Sequence, residues 1–418
     1  MMRALLLEQP GRPPSLTVRE IPIPVPAAGE ALVRVAVCGF CHHDLLVMAG
    51  VLRRGVHRGD LAGRPYPVLG HEISGVVAEV GAVVKTLRPG DPVASIQTNA
   101  CGECDRCLQG REHRCRHGVG IGHGRDGGFA EYVVVGEASL VPVDLTALPF
   151  PGFRPQASSF GLDPVAGSLE LPAPAQHQGV GVDLIGAALF GCPMGVVLQA
   201  AEHVAQLRAN ETVLVTGAGG GLGVHAVQVG AAQGARVLAV TSSPEKALHL
   251  AKLGAAEVVE IRRGYPHLNP PPQGEEMKSL SSRGEGQDEG QTPLDFSEVA
   301  MALTGDQGVD VILDTVGSPL FPSTWRSLGQ YGRLVQLGEV TGRPVALNLA
   351  EVIFRDARIL GSSGASRQSL RQVASLVAQG RLRPVVSRVL PLEAAPLAFD
   401  LLASRSILGR LLLKPSGD

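Results

Sequence analysis

Four cysteines within fifteen residues constrain this chain more than any other feature of its sequence. They are Cys101, Cys104, Cys107 and Cys115, in the spacing C-x2-C-x2-C-x7-C. Four thiolates spaced in this way can close around one tetrahedral ion, and Zn²⁺ is the usual occupant of such a set. A disulfide pair and an iron–sulfur cluster are the alternatives. We predict a structural zinc ion, because cytosolic chains rarely keep disulfides and four protein ligands leave no open position for chemistry.

Composition and charge exclude two classes of partner. The chain has 418 residues, enough for two domains or more, and its net charge is only -2. No basic surface invites nucleic acid or an anionic membrane, and aromatic residues, at 4%, are too few for a base-stacking surface. Residues 1–10 do not resemble a secretory signal, and glycines and a proline interrupt the apolar run Leu184–Ala201, which indicates a buried helix. We expect a soluble, cytoplasmic protein with no nucleic-acid or membrane partner.

A glycine-rich turn in the middle of the chain predicts a dinucleotide-binding unit. An apolar strand that begins at Glu211 leads into the turn, and a helical run from Val224 to Gln233 follows it. Glycines let the backbone approach a pyrophosphate, which would lie at the positive N-terminus of the helix. A later strand also ends in glycine, where a doubly wound sheet places its ligand. The predicted cofactor-binding residues of these turns are Gly217, Gly220, Gly221, Leu222, Gly223 and Gly338.

Three further motifs, together with the four-cysteine lobe, carry a family resemblance. They are Cys41-His42-His43-Asp44, Gly70-His71-Glu72 and Phe190-Gly-Cys192. With these motifs the chain resembles the zinc-containing medium-chain dehydrogenase/reductase family, and its alcohol dehydrogenases in particular. The resemblance covers nearly the whole chain except for two insertions.

The resemblance implies an α/β fold with a doubly wound Rossmann coenzyme domain and a mainly-β, GroES-like catalytic domain. One insertion is rich in proline, so we expect either a solvated surface loop or a lid over the cleft. The other has the composition of a disordered segment and is predicted to be dispensable. A homodimer or a homotetramer is expected. The predicted division is 1–193 (catalytic, with the zinc lobe 101–115 and the loop 144–181), 194–363 (coenzyme, with the insertion 262–293) and 364–418 (return to the catalytic domain).

The resemblance also implies a second, catalytic zinc ion. Its ligands would be Cys41, His71 and Cys192, which leaves a fourth position for water or a substrate oxygen. Cys38 forms a C-x2-C pair with Cys41, but no second cysteine pair follows at a suitable distance, and we interpret Cys38 as a buried apolar residue.

Four more side chains take roles from the same resemblance. Asp44 would hold the ligand histidine through its second ring nitrogen, and Glu72 would lie close to the metal. His42 and Arg410 are counted among the cofactor-binding residues, and Arg410, in the last strand, would reach the pyrophosphate.

The choice between NAD and NADP depends on the end of the second strand of the nucleotide unit. An NAD-selective fold would often place an acid there, on the ribose 2′-hydroxyl, but this chain has Thr241. Thr241, Ser242 and Lys246 suit a 2′-phosphate, whereas Glu245 favours NAD if its side chain turns inward. We predict NADP rather than NAD.

The implied reaction is hydride transfer that interconverts a small alcohol and an aldehyde or ketone. The alternative is reduction of a conjugated C=C, as in the enone and acryloyl-thioester reductases of the family. A non-catalytic relative is a third hypothesis, but such a protein would be expected to lose zinc ligands. His43 departs from the family pattern, because alcohol dehydrogenases resembling this chain usually have Ser or Thr there. In alcohol chemistry His43 would be the proton relay; in C=C reduction it would face a substrate carbonyl or phosphate.

Overall fold

The computed structural model describes residues 1–51, 64–144, 181–261 and 295–416, with side chains from 184 onward in the third range. Of the two predicted insertions, 262–293 lies outside these residues and 144–181 lies outside them except at its ends. The surface loop or lid, and the disordered and dispensable segment, therefore stay predictions.

The N-terminal part of the chain folds into short strands and a few helices. Its strands are β1 (Met2–Gln9), β2 (Ser15–Ile21), β3 (Glu30–Phe40), β4 (Glu72–Val80), β5 (Pro92–Ser95), β6 (Thr98–Asn99), β7 (Val119–Gly120), β8 (Tyr132–Gly136) and β9 (Leu140–Pro142). Its helices are α1 (His42–Met48), α2 (Asp105–Leu108), α3 (Gly181–Leu189) and α4 (Gly195–Leu198). Apolar residues on the inner faces of these strands form a core of their own.

The next part is a parallel sheet with helices between its strands. Its elements are β10 (Thr212–Val215), α5 (Gly223–Ala232), β11 (Arg236–Thr241), α6 (Ala247–Lys252), β12 (Glu257–Glu260), α7 (Ser297–Leu303), β13 (Val309–Asp314), α8 (Phe321–Arg326), β14 (Leu328–Gln336), α9 (Leu349–Phe354) and β15 (Arg358–Gly361). The strand order is β12-β11-β10-β13-β14-β15. This order reverses between β10 and β13, which is the switch point where a doubly wound sheet binds its ligand.

The C-terminal part returns to the first sheet. It contains α10 (Arg367–Ala378), β16 (Val386–Pro391), α11 (Ala395–Ala403) and β17 (Arg410–Lys414). These strands complete a mixed sheet in the order β16-β17-β3-β4-β5-β9, with β8 also paired to β3. Leu411 pairs with Phe40 in the antiparallel register of β17 and β3, so Arg410 begins its strand beside the end of β3.

A single long helical segment joins the two parts. From Leu184 to Val204 it passes through α3 and α4 and through two π-helical turns, Phe190–Met194 and Gln199–Val204. It is long and apolar enough to cross a membrane, but 83% of its most apolar window is buried inside the protein. The predicted buried helix is confirmed, and so is the predicted fold of a doubly wound domain beside a mainly-β domain.

Candidate active site

Cys41 and Asp44 are fixed together at the start of α1. Cys41 caps the helix with extended backbone, and its N–H donates to Asp44 Oδ2 over 2.9 Å. An acid at the third helical position satisfies this otherwise free N–H, as in a capping box. The short helix therefore directs Asp44, which is completely buried, back toward the residue that follows β3.

The turn before β4 brings His71 to the same carboxylate. Gly70 has φ +92°, and a Cβ there would lie 2.6 Å from the Phe129 ring, so only glycine fits this turn. The Gly70 N–H donates to Asp44 Oδ1 over 3.4 Å, and His71 Nδ1 lies 3.6 Å from the same oxygen. Asp44 thus joins the Cys41 and His71 segments and leaves His71 Nε2 to face the cleft.

Cys192 completes the set from the first π-helical turn. Its Sγ lies 3.8 Å from His71 Nε2. Together with Cys41 and Glu72, these residues place one donor atom each within 4.8 Å of one another. A tetrahedral Zn²⁺ with bonds of about 2.0–2.3 Å needs ligand separations of roughly 3.3–3.8 Å. The 3.8 Å between Cys192 and His71 lies in this range, and a set of two sulfurs and one imidazole suits zinc.

The electrostatics of this donor set favour a thiolate at Cys41. A hydrogen bond from Cys192 is the largest influence that lowers the pKa of Cys41, and the charge of Arg410 lowers it further. Burial raises the pKa of Glu72 to about 7, against the opposing influence of Arg410. Glu72 Oε1 and Arg410 Nη2 form an ion pair of 3.0 Å in which both side chains are almost fully buried.

The four cysteines of the lobe form a separate cluster. The Sγ atoms of Cys104 and Cys107 are 3.5 Å apart, those of Cys104 and Cys115 are 3.8 Å apart, and those of Cys115 and Cys101 are 3.5 Å apart. A ZnS₄ tetrahedron with bonds of about 2.3 Å has edges of about 3.8 Å. A backbone hydrogen bond from Arg116 lowers the pKa of Cys104 to about 6, which favours the ligand thiolate. The arrangement fits the predicted structural zinc ion.

The predicted glycine turn lies between β10 and α5. Gly217 has φ +58°, and the Gly220 N–H donates to its carbonyl over 2.9 Å. A Cβ at Gly223 would overlap the backbone of Gly217 and Ala218, so this glycine allows the helix to pack closely on the strand. At the end of β14, the Gly338 N–H donates to the Asp314 carbonyl over 3.1 Å. These residues meet at the switch point of the sheet.

Arg410 lies between the glycine turn and the metal-donor set. A Cβ on Gly221 would lie 2.6 Å from the guanidinium carbon of Arg410, so the turn needs a glycine beside this side chain. The same guanidinium pairs with Glu72. The structure therefore places Arg410 beside the glycine turn, and its contact with the pyrophosphate stays a prediction.

The residues predicted for the 2′-phosphate lie at the end of β11, but Lys246 is engaged elsewhere. Its Nζ donates to the carbonyls of Arg405 and Ile407 over 2.9 and 2.6 Å. A phosphate would have to compete with these two carbonyls for the lysine. Thr241 accepts a hydrogen bond from the Ser243 N–H over 3.2 Å, and Ser242 follows it at the strand end.

The histidines beside Cys41 have different surroundings. His42 is the first residue of α1, and burial lowers its pKa to about 4. The ring centroid of His43 lies 4.3 Å from that of His123, which is 5.2 Å from the ring of His71. Three imidazoles therefore meet beside the metal donors.

Sequence reasoning missed His123 and Gln97. Gln97 Nε2 donates to Cys192 Sγ over 2.7 Å. His123 follows Gly122, which has φ +73° and packs against the backbone of Gly70. The sequence could have indicated His123, because glycines flank it shortly after the cysteine lobe. Nothing in the local sequence indicated a role for Gln97.

Comparisons with known proteins agree with this architecture. Residues 27–145 match the family profile "Alcohol dehydrogenase GroES-like domain", and residues 290–413 match "Zinc-binding dehydrogenase". The chain is 32% identical over 414 residues to the acryloyl-coenzyme A reductase of Metallosphaera sedula, with 99% of both chains covered. It is 28% identical to the NAD-dependent alcohol dehydrogenase of Sulfolobus acidocaldarius, again with 99% of both covered.

A solved structure is similar to this chain over its whole length. The crystal structure of AibC superimposes with a TM-score of 0.75 at 30% identity and covers 100% of this chain and 96% of AibC. The two profiles, the full-length relatives and the donor set agree. The chain is an oxidoreductase of the zinc-dependent alcohol dehydrogenase type and belongs to the zinc-containing medium-chain dehydrogenase/reductase family.

Proposed function

We propose that this enzyme reduces the conjugated C=C of an α,β-unsaturated acyl thioester with NADPH. The observation that carries the proposal is the pair of neighbouring imidazoles, His43 and His123, beside the metal donors. An alcohol-binding site of this family would usually have a hydroxyl side chain at residue 43. The full-length likeness to an acryloyl-coenzyme A reductase supports the same choice.

The proposed reaction needs a hydride and a proton. The hydride passes from the reduced nicotinamide to the β carbon, the π electrons move toward the thioester carbonyl, and a proton is added at the α carbon. A zinc ion bound at this site would polarise the carbonyl oxygen as a Lewis acid. Cys41, His71 and Cys192 would hold that ion, Asp44 orients His71, and an imidazole of His43 or His123 would supply the proton.

A second candidate is interconversion of an alcohol and an aldehyde or ketone. The complete set of Cys41, His71 and Cys192 favours it, because that set suits a substrate oxygen at the fourth metal position. In that reaction His43 would receive the proton of the alcohol, and His123 would pass it outward. The likeness to an alcohol dehydrogenase also supports this candidate.

Cofactors and location complete the proposal. We propose two zinc ions per chain, one for each donor cluster, and a cytoplasmic location. NADPH is proposed over NADH because Thr241 ends β11 and Ser242 follows it, so that neither position has an acid. The contact from Lys246 is not needed for this choice, since hydroxyls can bind the 2′-phosphate.

We also propose that the protein is a homodimer. β15 is one of the two edge strands of the parallel sheet in the described chain, and an open edge can pair with a second copy. Exposed apolar side chains lie on α9 and next to this edge: Leu349 (69% exposed), Ile353 (71%), Phe354 (79%) and Ile359 (43%). Such an apolar patch is typical of a protein interface.

A kinetic comparison tests the choice of substrate. Zinc-loaded enzyme is assayed with acryloyl and crotonyl thioesters, with the corresponding alcohols and aldehydes, and with both NADPH and NADH. The proposal expects the highest kcat/KM for an enoyl thioester with NADPH. An enzyme that turns over alcohols or aldehydes but leaves enoyl thioesters unchanged would overturn it in favour of the second candidate.

A further inference from the structure

Two polar side chains are buried on the inner face of the coenzyme helix α5. His225 is 1% exposed and Gln228 is 6% exposed, in a helix whose other buried residues are apolar or glycine. Buried polar groups are costly unless they are hydrogen-bonded. Neither side chain contacts the metal donors, and the proposed chemistry does not use them.

Both side chains bind the backbone of residues 383–385, which lead into β16. The Gln228 amide donates to the Arg383 carbonyl and accepts from the Arg383 N–H, each over 3.0 Å. The Val385 N–H donates to His225 Nε2 over 3.1 Å. Helix α5 therefore holds this segment through three side-chain hydrogen bonds.

The other ring nitrogen of His225 binds the glycine turn. Its Nδ1 lies 2.8 Å from the Gly221 carbonyl oxygen. Because Nε2 accepts a hydrogen bond from the Val385 N–H, Nδ1 must carry the ring proton and donate a hydrogen bond to the Gly221 carbonyl. The imidazole is therefore neutral with a single tautomer, and it links the turn to the segment at Val385.

The bond to Gly221 fixes the orientation of a peptide plane. In a trans peptide the carbonyl and the N–H point in opposite directions. When the Gly221 carbonyl is bound by His225, the N–H of Leu222 in the same peptide points the other way, out of the N-terminus of α5. Such an N–H is a donor for an anion at the helix end.

The same histidine also sets the position of Arg410. The Val385 carbonyl accepts the Arg410 N–H over 3.0 Å, and the Arg410 guanidinium lies against Gly221. The contacts therefore form a closed ring: Gly221 to His225, His225 to Val385, Val385 to Arg410, and Arg410 back to Gly221. His225 is the one member that binds both the turn and the returning chain through its side chain.

We propose that His225 is a positioning residue for the coenzyme pyrophosphate, with Gln228 supporting it. It holds the Leu222 N–H and the Arg410 guanidinium in one arrangement before the coenzyme binds. The proposal concerns coenzyme binding alone, so it does not depend on which substrate is reduced.

Binding titrations test this role. His225→Leu keeps much of the volume and removes both hydrogen bonds, whereas His225→Asn can keep the donor to Gly221. The dissociation constant is measured from nicotinamide fluorescence for whichever reduced coenzyme the wild-type protein binds more tightly. Adenosine, which lacks the pyrophosphate, is measured by displacement. Gln372→Ala is the matched control, since it removes a comparable amide bond to Glu202 far from the turn.

The expected results separate positioning from general stability. His225→Leu should weaken coenzyme binding about tenfold, the effect of one hydrogen bond, and change adenosine binding less than about twofold. His225→Asn should recover most of the loss, and Gln372→Ala should change neither value. Equal weakening of coenzyme and adenosine, or no recovery in His225→Asn, would overturn the proposal. If His225→Leu does not fold, His225→Asn carries the test: it should bind coenzyme within about threefold of wild type, and a larger loss would contradict the role.

Discussion

The buried ion pair between Arg410 and Glu72 connects the metal donors with the coenzyme turn. Glu72 lies in the donor cluster, and the guanidinium of Arg410 lies on Gly221. Burial of both groups is tolerated because each charge compensates the other, and removal of one partner typically costs about 3–5 kcal/mol. Local sequence could not show this contact, because it depends on the pairing of the last strand with β3.

Single cysteine variants should separate two metal sites. Cys41→Ser should lose one zinc ion and most activity but keep the fold. Cys101→Ser should lose the other ion and lower the melting temperature, because a closed structural site contributes folding free energy. Elemental analysis and thermal unfolding measure both effects.

Cys38→Ala is the control for these variants. Cys38 is buried in the core of the first part, and burial raises the pKa of its thiol. The Cys38→Ala protein should therefore keep both zinc ions. Loss of an ion in this variant would show that the C-x2-C pair binds metal. Fewer than two ions in the wild-type protein after metal-replete expression would contradict the account of two sites.

The stability of the protein should depend on pH through His225. Burial, aided by the charge of Arg410 and opposed by the hydrogen bond to Gly221, lowers the pKa of this histidine to about 4. An unfolded histidine has a pKa of about 6.5, so the unfolded state binds more protons between these values. The stability that His225 contributes is complete above pH 6.5 and is lost as pH falls toward 4. The difference between the folded and unfolded pKa values corresponds to about 3 kcal/mol of unfolding free energy.

Urea unfolding at pH 7 and pH 4.5 measures this effect. Between these values the wild-type protein should lose about 2–3 kcal/mol more unfolding free energy than His225→Leu. Other titrating groups are common to both proteins, so their contributions cancel in the difference. If the two proteins lost the same unfolding free energy, protonation of the buried His225 imidazole would have no cost in stability.

The predicted ligands of the catalytic zinc came from short motifs read through the family resemblance. The structure brings the donor atoms of Cys41, His71 and Cys192 together, and their binding of zinc stays a prediction. His123 and Gln97 could not be placed, because each reaches the cluster from a loop whose path depends on the packing of other segments. Lys246 is the opposite case. Its residue type and its place in the sequence suited a contact with the 2′-phosphate, but its ammonium group donates to two carbonyls of the returning chain.

At the scale of elements, the π-helical turn at Phe190–Met194 sets the position of Cys192. π-helical turns occur mostly as single turns at functional sites. Gly191 lies so close to β5 that a Cβ would overlap the Ser95 carbonyl. The sequence predicted a buried helix here, but the π-helical turns depend on how that helix packs against the first sheet.

Gly191→Ala should therefore displace the neighbouring ligand. Overpacking of this kind costs about 1–3 kcal/mol, and here it should also lower zinc occupancy of the catalytic site. Gly29→Ala is the matched control, since its Cβ would meet only a Val83 methyl at 3.8 Å, which is ordinary contact. Metal analysis and urea unfolding measure both effects, and a Gly191→Ala protein with full zinc content would show that the helix can move without consequence.

At the scale of the whole molecule, the pattern of strand, glycine turn and helix predicted a dinucleotide-binding unit, but the order of the parallel strands was not predicted. The return of the chain to the first sheet was anticipated only through the family resemblance. Pairings such as β17 with β3 join distant parts of the sequence, and periodicity within a segment does not encode them.

We expect the exposed apolar residues of α9 and β15 to form a dimer interface. A single charge introduced there should disrupt the dimer. Phe354→Glu places a carboxylate in the proposed interface and should convert the protein to monomers in light-scattering measurements. Val25→Glu is the control, because Val25 is 84% exposed on the other part of the molecule. A wild-type monomer, or dimers that persist in Phe354→Glu, would place the interface elsewhere or exclude it.

The central claim is that hydride goes to the β carbon of an enoyl thioester. The most direct test is the position of deuterium in the product formed from acryloyl thioester and coenzyme deuterated at the transferred position. The account predicts a saturated propionyl thioester with one deuterium on the β carbon, and no product from Cys41→Ser enzyme above background. Deuterium on the carbonyl carbon of a released aldehyde or alcohol, with the C=C intact, would contradict it.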